Sequence, residues 1–337
     1  MTDDDLEAID PGTALEMYLA DRDAELAEST IASHQRRLSL FVQWCDENDI
    51  ESLSELTPRD LHEFRVWRQQ GIRVDGVAPD TLRSALVTTR LFLRWAAGIN
   101  AVDPNIPELI EVPDSVAKRS RDEMLEPERA EQLLEHLETY EWASAGHVII
   151  ELLYRTGMRA GSLRALDVGD YNREEQHLAL RHRPETGTPL KNKRDGERLV
   201  ALQLKTCRIL DDWIEDRRPD VEDNGRIPMI ATAQGRRSRN SLRRITYYST
   251  LPCHYGECPH DKDPDECEWT GWRTAMKCPS SRSTHPIRRG AITHHLRKGV
   301  PVNAISLRAD VTPDIIEKHY NQMTEREAME ARREYFE

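Results

Sequence analysis

Lysine is scarce in this chain of 337 residues, eight against 39 arginines, and Phe, Trp and Tyr together make up only 6%. No apolar run approaches the roughly 20 residues that a membrane-spanning helix needs. The longest is HVIIELLY at 147–154. The opening stretch MTDDDLEAID is acidic and lacks the apolar centre of a secretory signal. Together these absences point to a soluble, cytoplasmic protein with no membrane role. In that compartment the six cysteines are not expected to form disulfides.

Charge of one sign dominates. Sixty Asp and Glu against 47 Lys and Arg give a net charge of −13, which ordinarily argues against a phosphate-rich partner. An acidic, lysine-poor, arginine-rich composition fits a halophile, whose excess carboxylates hold water at the surface. Codon bias toward arginine produces the same numbers. The distribution of charge must therefore decide, not its sum.

At roughly 150 residues per domain the length corresponds to about two domains. The stretch before Ser29 is acidic and expected to fray, the first 11 residues forming a tail. From Ser29 apolar residues recur at helical spacing (Ile31, Leu38, Phe41, Val42, Trp44, Cys45). Thr57-Pro58 opens a second helix carrying Leu61, Phe64 and Trp67. Pro79-Asp80-Thr81 opens a third, with Leu82, Leu86, Leu91, Leu93 and Trp95 before Gly98. Residues 12–112 thus read as a helical domain and 113–125, rich in charge without periodicity, as a linker. Two helices follow over about 127–138 and 142–155. HLALRH (177–182) alternates as a strand, and LKNKRDGERLVAL (190–202) reads as a hairpin turning at Asp195-Gly196. Helices return over most of 286–332. The fold class is mainly α with a small β-sheet: a helical N-terminal domain and an α+β domain over 126–325, followed by a tail over 326–337.

Four segments carry candidate chemistry. In TGMRAGSLRALDVGD (156–170), Gly157 ends a helix and Arg159 stands at the start of the next, where a guanidinium and oriented N–H groups suit an anion. Pairing with Asp167 or Asp170 is the plainer alternative. Lys191 and Lys193, two apart on the expected strand, face one way, and a lysine of lowered pKa can act as a general acid. A charged edge strand accounts for them equally. In STHPIRRGAITHHLRKG (283–299), Pro286 suits the first helical position with His285 as cap, and Arg288 shares a face with His285. In VTPDIIEKHYNQ (311–322), Tyr320 completes an apolar face with Ile316 or, beside cations, serves as a nucleophile.

In this order the four segments resemble the tyrosine recombinase (phage integrase) family over about 120–325, and the helical domain resembles that family's SAM-like core-binding domain. TGMR looks like its first arginine box, LKNKRDGERLVAL its lysine hairpin, HPIRRG its His-x-x-Arg box and EKHY its nucleophile box. The resemblance implies that Arg159 and Arg288 clamp the scissile phosphate, that Lys193 (or Lys191) is the general acid and His285 the acid/base, and that Tyr320 is the nucleophile. Arg308 lies nearest the family's third box, where a His or Trp follows a glycine. The interval from there to Tyr320 is about three residues longer than usual. The resemblance further implies a covalent 3′-phosphotyrosine intermediate, no cofactor in catalysis, dimers or tetramers on double-stranded DNA and accessory DNA-bending proteins. A recombinase-like regulator that binds without cleaving is the alternative.

Cys253, Cys258, Cys267 and Cys278 fall within 26 residues, inside an insertion over 251–279, and four thiols can close a structural zinc site. Such a closed site disfavours a zinc-dependent nuclease. Just before it, RIPMIATAQGRRSRNSLRRITYYST (226–250) contains Arg226, Arg236, Arg237, Arg239, Arg243 and Arg244 with no carboxylate, the pattern of a DNA-backbone contact, to which Lys191 could add.

Overall fold

The computed structural model describes residues 6–71, 76–114, 123–320, 326, 329, 330 and 333. The tail sequence over 321–337 lies, but for those four residues, outside the described part. The chain divides into two compact units, Met1–Ser120 and Arg121–Glu337.

The first unit is helical: α1 (Pro11–Asp23), α2 (Glu28–Glu47), α3 (Pro58–Gln70) and α4 (Pro79–Gly98). The first of these runs through sequence read above as a fraying stretch. Its start is nevertheless written there, since Asp10 caps the Thr13 amide and Pro11 takes the first helical position. The Thr57 and Asp60 side chains close a reciprocal cap on α3. Phe41 and Phe64 meet edge to face at 5.0 Å in a core shared with Trp44 and Phe92. Leu91, counted above among the apolar positions of α4, is 43% exposed.

The second unit is built around α6 (Ala145–Thr156), against which α5 (Pro127–Tyr140), α9 (Arg239–Ser249) and α10 (Thr284–Arg297) pack. Apolar or buried on nearly every side, α6 is a central helix. Its buried Glu151 accepts the Thr206 hydroxyl at 2.6 Å. Further helices among the described residues are α7 (Ala160–Ala165), α8 (Leu204–Asp212), α11 (Val302–Ala309) and α12 (Pro313–His319). Strands β1 (Tyr171–Asn172), β2 (His177–Leu180) and β3 (Arg198–Ala201) form an antiparallel sheet in that order, and β4 (Ala231–Thr232) pairs with β5 (Gly235–Arg236).

Two boundaries differ from the sequence reading. Leu125, placed above in the linker, is fully buried, and its N–H donates to the Pro286 carbonyl at 3.1 Å. Gly290 permits this approach, because a Cβ there would meet the Leu125 carbonyl oxygen at 2.0 Å. The second concerns the hairpin. β3 pairs with β2, from His177 opposite Ala201 to Leu180 opposite Arg198, not with residues 190–193. Leu178 and Leu180 bury two side chains beside Val200. LKNK has only Leu190 to bury, so HLAL wins the pairing. Lys191 consequently lies in a turn and Lys193 opens a short 3₁₀ helix (Lys193–Gly196), both exposed, and Lys193 has φ 51°.

Candidate active site

Gly157 ends α6 in the left-handed region at φ 64°, which turns the chain so that Arg159 occupies the N-cap of α7. Helix α10 starts at Thr284 with Ser283 in the cap position, two residues earlier than the sequence suggested. Proline fits in that first turn because its missing N–H would have no helical acceptor. His285 and Arg288 therefore stand one turn apart near the start of α10.

Arg288 is 2% exposed. Its Nη1 donates to the Gly157 and Ala309 carbonyls, both at 2.7 Å, which fastens the α6–α7 turn and the end of α11 to α10. The guanidinium carbon lies 5.9 Å from the Tyr320 ring centre, and the His285 ring lies 6.1 Å from it. Burial lowers the Arg288 pKa, while charge and hydrogen-bond interaction with Tyr320 act in the opposite direction. Tyr320 follows α12, is 5% exposed and shares an apolar cluster with Ile292, Leu296 and Ile316. Thr293 Oγ1 donates to its carbonyl at 2.9 Å. Both sequence readings of this tyrosine thus describe one position: it completes an apolar face and lies over a buried cation.

A cavity of about 670 Å³ is lined by Arg159, Asn192, Arg198, Arg308 and Asp310 among others, and His285, Arg288 and Tyr320 are not part of its lining. Arg159 Nη1 donates to Asp310 at 2.5 Å. Arg198 donates to the Arg308 and Gly196 carbonyls, each at 2.8 Å. Its pKa is brought down to about 10, first by burial and then by neighbouring arginines, against the pull of Asp310. The Nη2 atoms of Arg198 and Arg288 are buried with no hydrogen-bond partner among the described residues. Three guanidiniums around one cavity, those of Arg159, Arg198 and Arg308, suit an oxyanion. Asn192, Arg198 and Asp310 were not singled out in the sequence. Arg198 was visible only as part of the hairpin motif, and an acidic residue in a phosphate site has no sequence signal.

Arg308 lines the cavity, but its guanidinium donates to the Arg155 carbonyl at 3.1 Å, at the end of α6. It therefore acts there as a helix C-cap, with burial lowering its pKa.

The arginine-rich window separates into two parts. Arg236 is buried, its side chain 2% exposed, and pairs with Asp167 at 2.5 Å and Asp223 at 3.2 Å. Arg226 and Arg183 meet the same Asp167 at 2.5 and 3.3 Å. Arg236 is thus a buried structural cation and not a surface contact for DNA. The window lacks acids of its own, but the fold brings them from 167 and 223. Arg237 is half-buried and donates to Ser241 at 3.0 Å. Arg239, Arg243 and Arg244 are exposed along α9, whose opposite face buries Leu242, Ile245 and Thr246. Arg243 lies 5.4 Å over the Tyr247 ring.

The segment holding Cys253, Cys258, Cys267 and Cys278 consists of turns and short 3₁₀ helices, and all four thiols are free of disulfides. Burial pushes the Cys253 thiol up, and the other three cysteines act on it in the same direction. His260 Nε2 is buried without a hydrogen-bond partner. Among the described residues no three His, Cys, Asp or Glu side chains are gathered closely enough to hold a metal.

The sequence profile of the Phage integrase family matches residues 123–251, and that of the phage integrase N-terminal SAM-like domain matches 16–98. The chain belongs to the phage integrase family of tyrosine recombinases. It is 24% identical over 295 residues to tyrosine recombinase XerD of Mycobacterium leprae, covering 83% of this chain and 82% of that one. Tyrosine recombinase XerC of Herpetosiphon aurantiacus is 25% identical over 225 residues, 64% of this chain and 67% of its own. Two solved structures share the fold of the recombinase. The Tn1549 transposon integrase in complex with a circular intermediate DNA has a TM-score of 0.68 at 14% identity, over 96% of this chain and 98% of that one. A lambda integrase dimer bound to a COC′ core site has a TM-score of 0.64 at 11% identity, over 95% and 80%. The catalytic-domain profile ends at 251, so the His285, Arg288 and Tyr320 segments of this recombinase rest on their own residues and geometry.

Proposed function

We propose that the protein breaks and rejoins double-stranded DNA at specific sites, with Tyr320 as nucleophile. The observation that carries this reading is the placement of Tyr320 over the buried Arg288, with the His285 ring beside it. Tyr320 Oη attacks the scissile phosphorus, a 3′-phosphotyrosine bond forms and the 5′-oxygen leaves. Arg159 and Arg288 stabilise the charge that builds on the non-bridging oxygens. Lys193 gives a proton to the departing 5′-oxygen, and His285 takes and returns the phenol proton. Reversal by a new 5′-hydroxyl rejoins the strand without ATP, because the linkage keeps the bond energy. No cofactor enters these steps.

The exposed Arg239, Arg243 and Arg244 of α9 contact the DNA backbone, with Arg237 and Lys191 as further contacts. Dimers and tetramers assemble on paired sites, with DNA-bending proteins as accessories, in integration or excision of a mobile element or in replicon resolution. Four thiolates would be a complete tetrahedral donor set for a structural zinc ion, and the four cysteines would have to draw together on binding it, since among the described residues no three metal-ligating side chains are gathered for one. Purified protein should then contain one zinc per chain and titrate as having four protected thiols. Metal-free protein with titratable thiols would refute the zinc.

Covalent trapping on nicked duplexes tests the main reading. Wild-type protein should give a protein–DNA adduct that survives denaturation, and Tyr320→Phe should give none while still binding. Binding without any adduct, on both nicked duplexes and supercoiled plasmid, would leave a recombinase-like protein that only binds.

A further inference from the structure

Three acidic residues, Asp195, Glu197 and Asp310, line the cavity beside Arg159, and of these Asp310 pairs with Arg159 itself. Asp310 follows α11 in the left-handed region, at φ 55° and ψ 63°, a conformation that Asp tolerates and Gly prefers. Its side chain is 13% exposed. Oδ2 accepts from Arg159 Nη1 at 2.5 Å, and Oδ1 accepts from Asn192 Nδ2 at 2.7 Å. Asn192 immediately precedes Lys193, so a single carboxylate joins the first arginine to the lysine-bearing turn. The charges of Arg288, Arg159 and Arg308 all act on Arg198 in this cavity, with Asp310 opposing them.

We propose that Asp310 is a positioning residue for strand cleavage, holding one edge of the Arg159 guanidinium and, through Asn192, the turn that carries Lys193. The proposal rests on the reading of Arg159 as a phosphate ligand. A guanidinium has five N–H donors in one plane. Asp310 engages Nη1, which orients that plane and leaves the other donors for the phosphate. The arrangement is the arginine counterpart of an outer carboxylate that orients a metal-bound histidine. A carboxylate that merely filled the phosphate's place would need no second anchor on the lysine turn. Asp310 has one, and each of its oxygens has a separate partner.

Single-turnover cleavage of nicked duplexes by the full chain tests this with Asp310→Asn and Asp310→Gly. The glycine variant removes the carboxylate while relieving the left-handed backbone, so its melting temperature should equal or exceed that of wild type. Both variants should cleave about 10–100-fold more slowly, with DNA affinity changed less than about twofold. Asn192→Ala should lose less, and adding it to Asp310→Gly should lose nothing further, because both act through one contact. An unchanged rate would overturn the proposal, as would faster cleavage with tighter DNA binding, the signature of a carboxylate competing with phosphate. A second measurement needs no cleavage. The Arg159 side-chain NMR signal, identified by its loss in Arg159→Lys, should show restricted guanidinium rotation in wild type and faster rotation in Asp310→Gly. Equal rotation would overturn the proposal. A wild-type protein that forms no adduct while Asp310 still controls Arg159 rotation would count against the cleavage reading and leave the positioning role standing.

Discussion

Arg288 has both a structural and a chemical part, and the two should separate by variant. Its Nη1 closes two backbone carbonyls on different segments. Arg288→Ala should therefore destabilise the fold by about 1–3 kcal/mol from the groups left unpaired, besides abolishing cleavage. Tyr320→Phe should abolish cleavage with a stability change within about 1 kcal/mol, and chemical denaturation of both variants checks the contrast. Asp167 presents the opposite case, an acid with no part in the chemistry. It is 8% exposed and meets Arg183, Arg226 and Arg236. Its removal leaves buried arginines unpaired, so Asp167→Ala should cost about 3–5 kcal/mol. The identity of Arg159, His285, Arg288 and Tyr320 as candidates was legible from local motifs. The commitment of Arg236 to Asp167 was not, because the partner lies 69 residues away.

Helix α9 has a buried face and an exposed arginine face, and its sequence shows both. Replacing Arg239, Arg243 and Arg244 together with Ala should weaken DNA binding across sequences and reduce the slope of log K against log salt by up to about 3. The melting temperature should remain near that of wild type. A titration of affinity against salt checks this, and an unchanged slope would remove α9 from the DNA interface. In α6, the buried His147 accepts the Ala143 N–H at Nδ1, which requires the neutral ring. Burial lowers its pKa to about 4, below the roughly 6.5 of an unfolded histidine. The unfolded chain therefore binds the proton first as pH falls. Stability should be lost between about pH 6.5 and 4, by on the order of 3 kcal/mol from this residue. His147→Gln should flatten that part of the pH–stability curve in denaturant melts. The helical spacing of these elements was readable, whereas the partner of β3 was decided by which segment had apolar residues to bury.

Across the whole molecule each unit has its own core, one around Phe41, Trp44 and Phe64 and the other around α6. Fragments 1–120 and 121–337 should each fold and unfold cooperatively alone, as calorimetry of the separate fragments would test. The net charge of −13 repels itself in the compact state, and salt screens that repulsion. Melting temperature should rise with added potassium chloride, while affinity for DNA falls through the arginine contacts. Capping residues, helical periodicity and the four ordered motifs are local properties of the chain, so the sequence by itself determined the helical architecture, the family resemblance and the candidate nucleophile. Which arginines face solvent and which carboxylate stands beside Arg159 depend on residues more than 50 positions apart, and where the lysine turn lies depends on which segment pairs with β3. Only the tertiary structure decided these, because desolvation and ion pairing act between side chains that meet after the chain has folded.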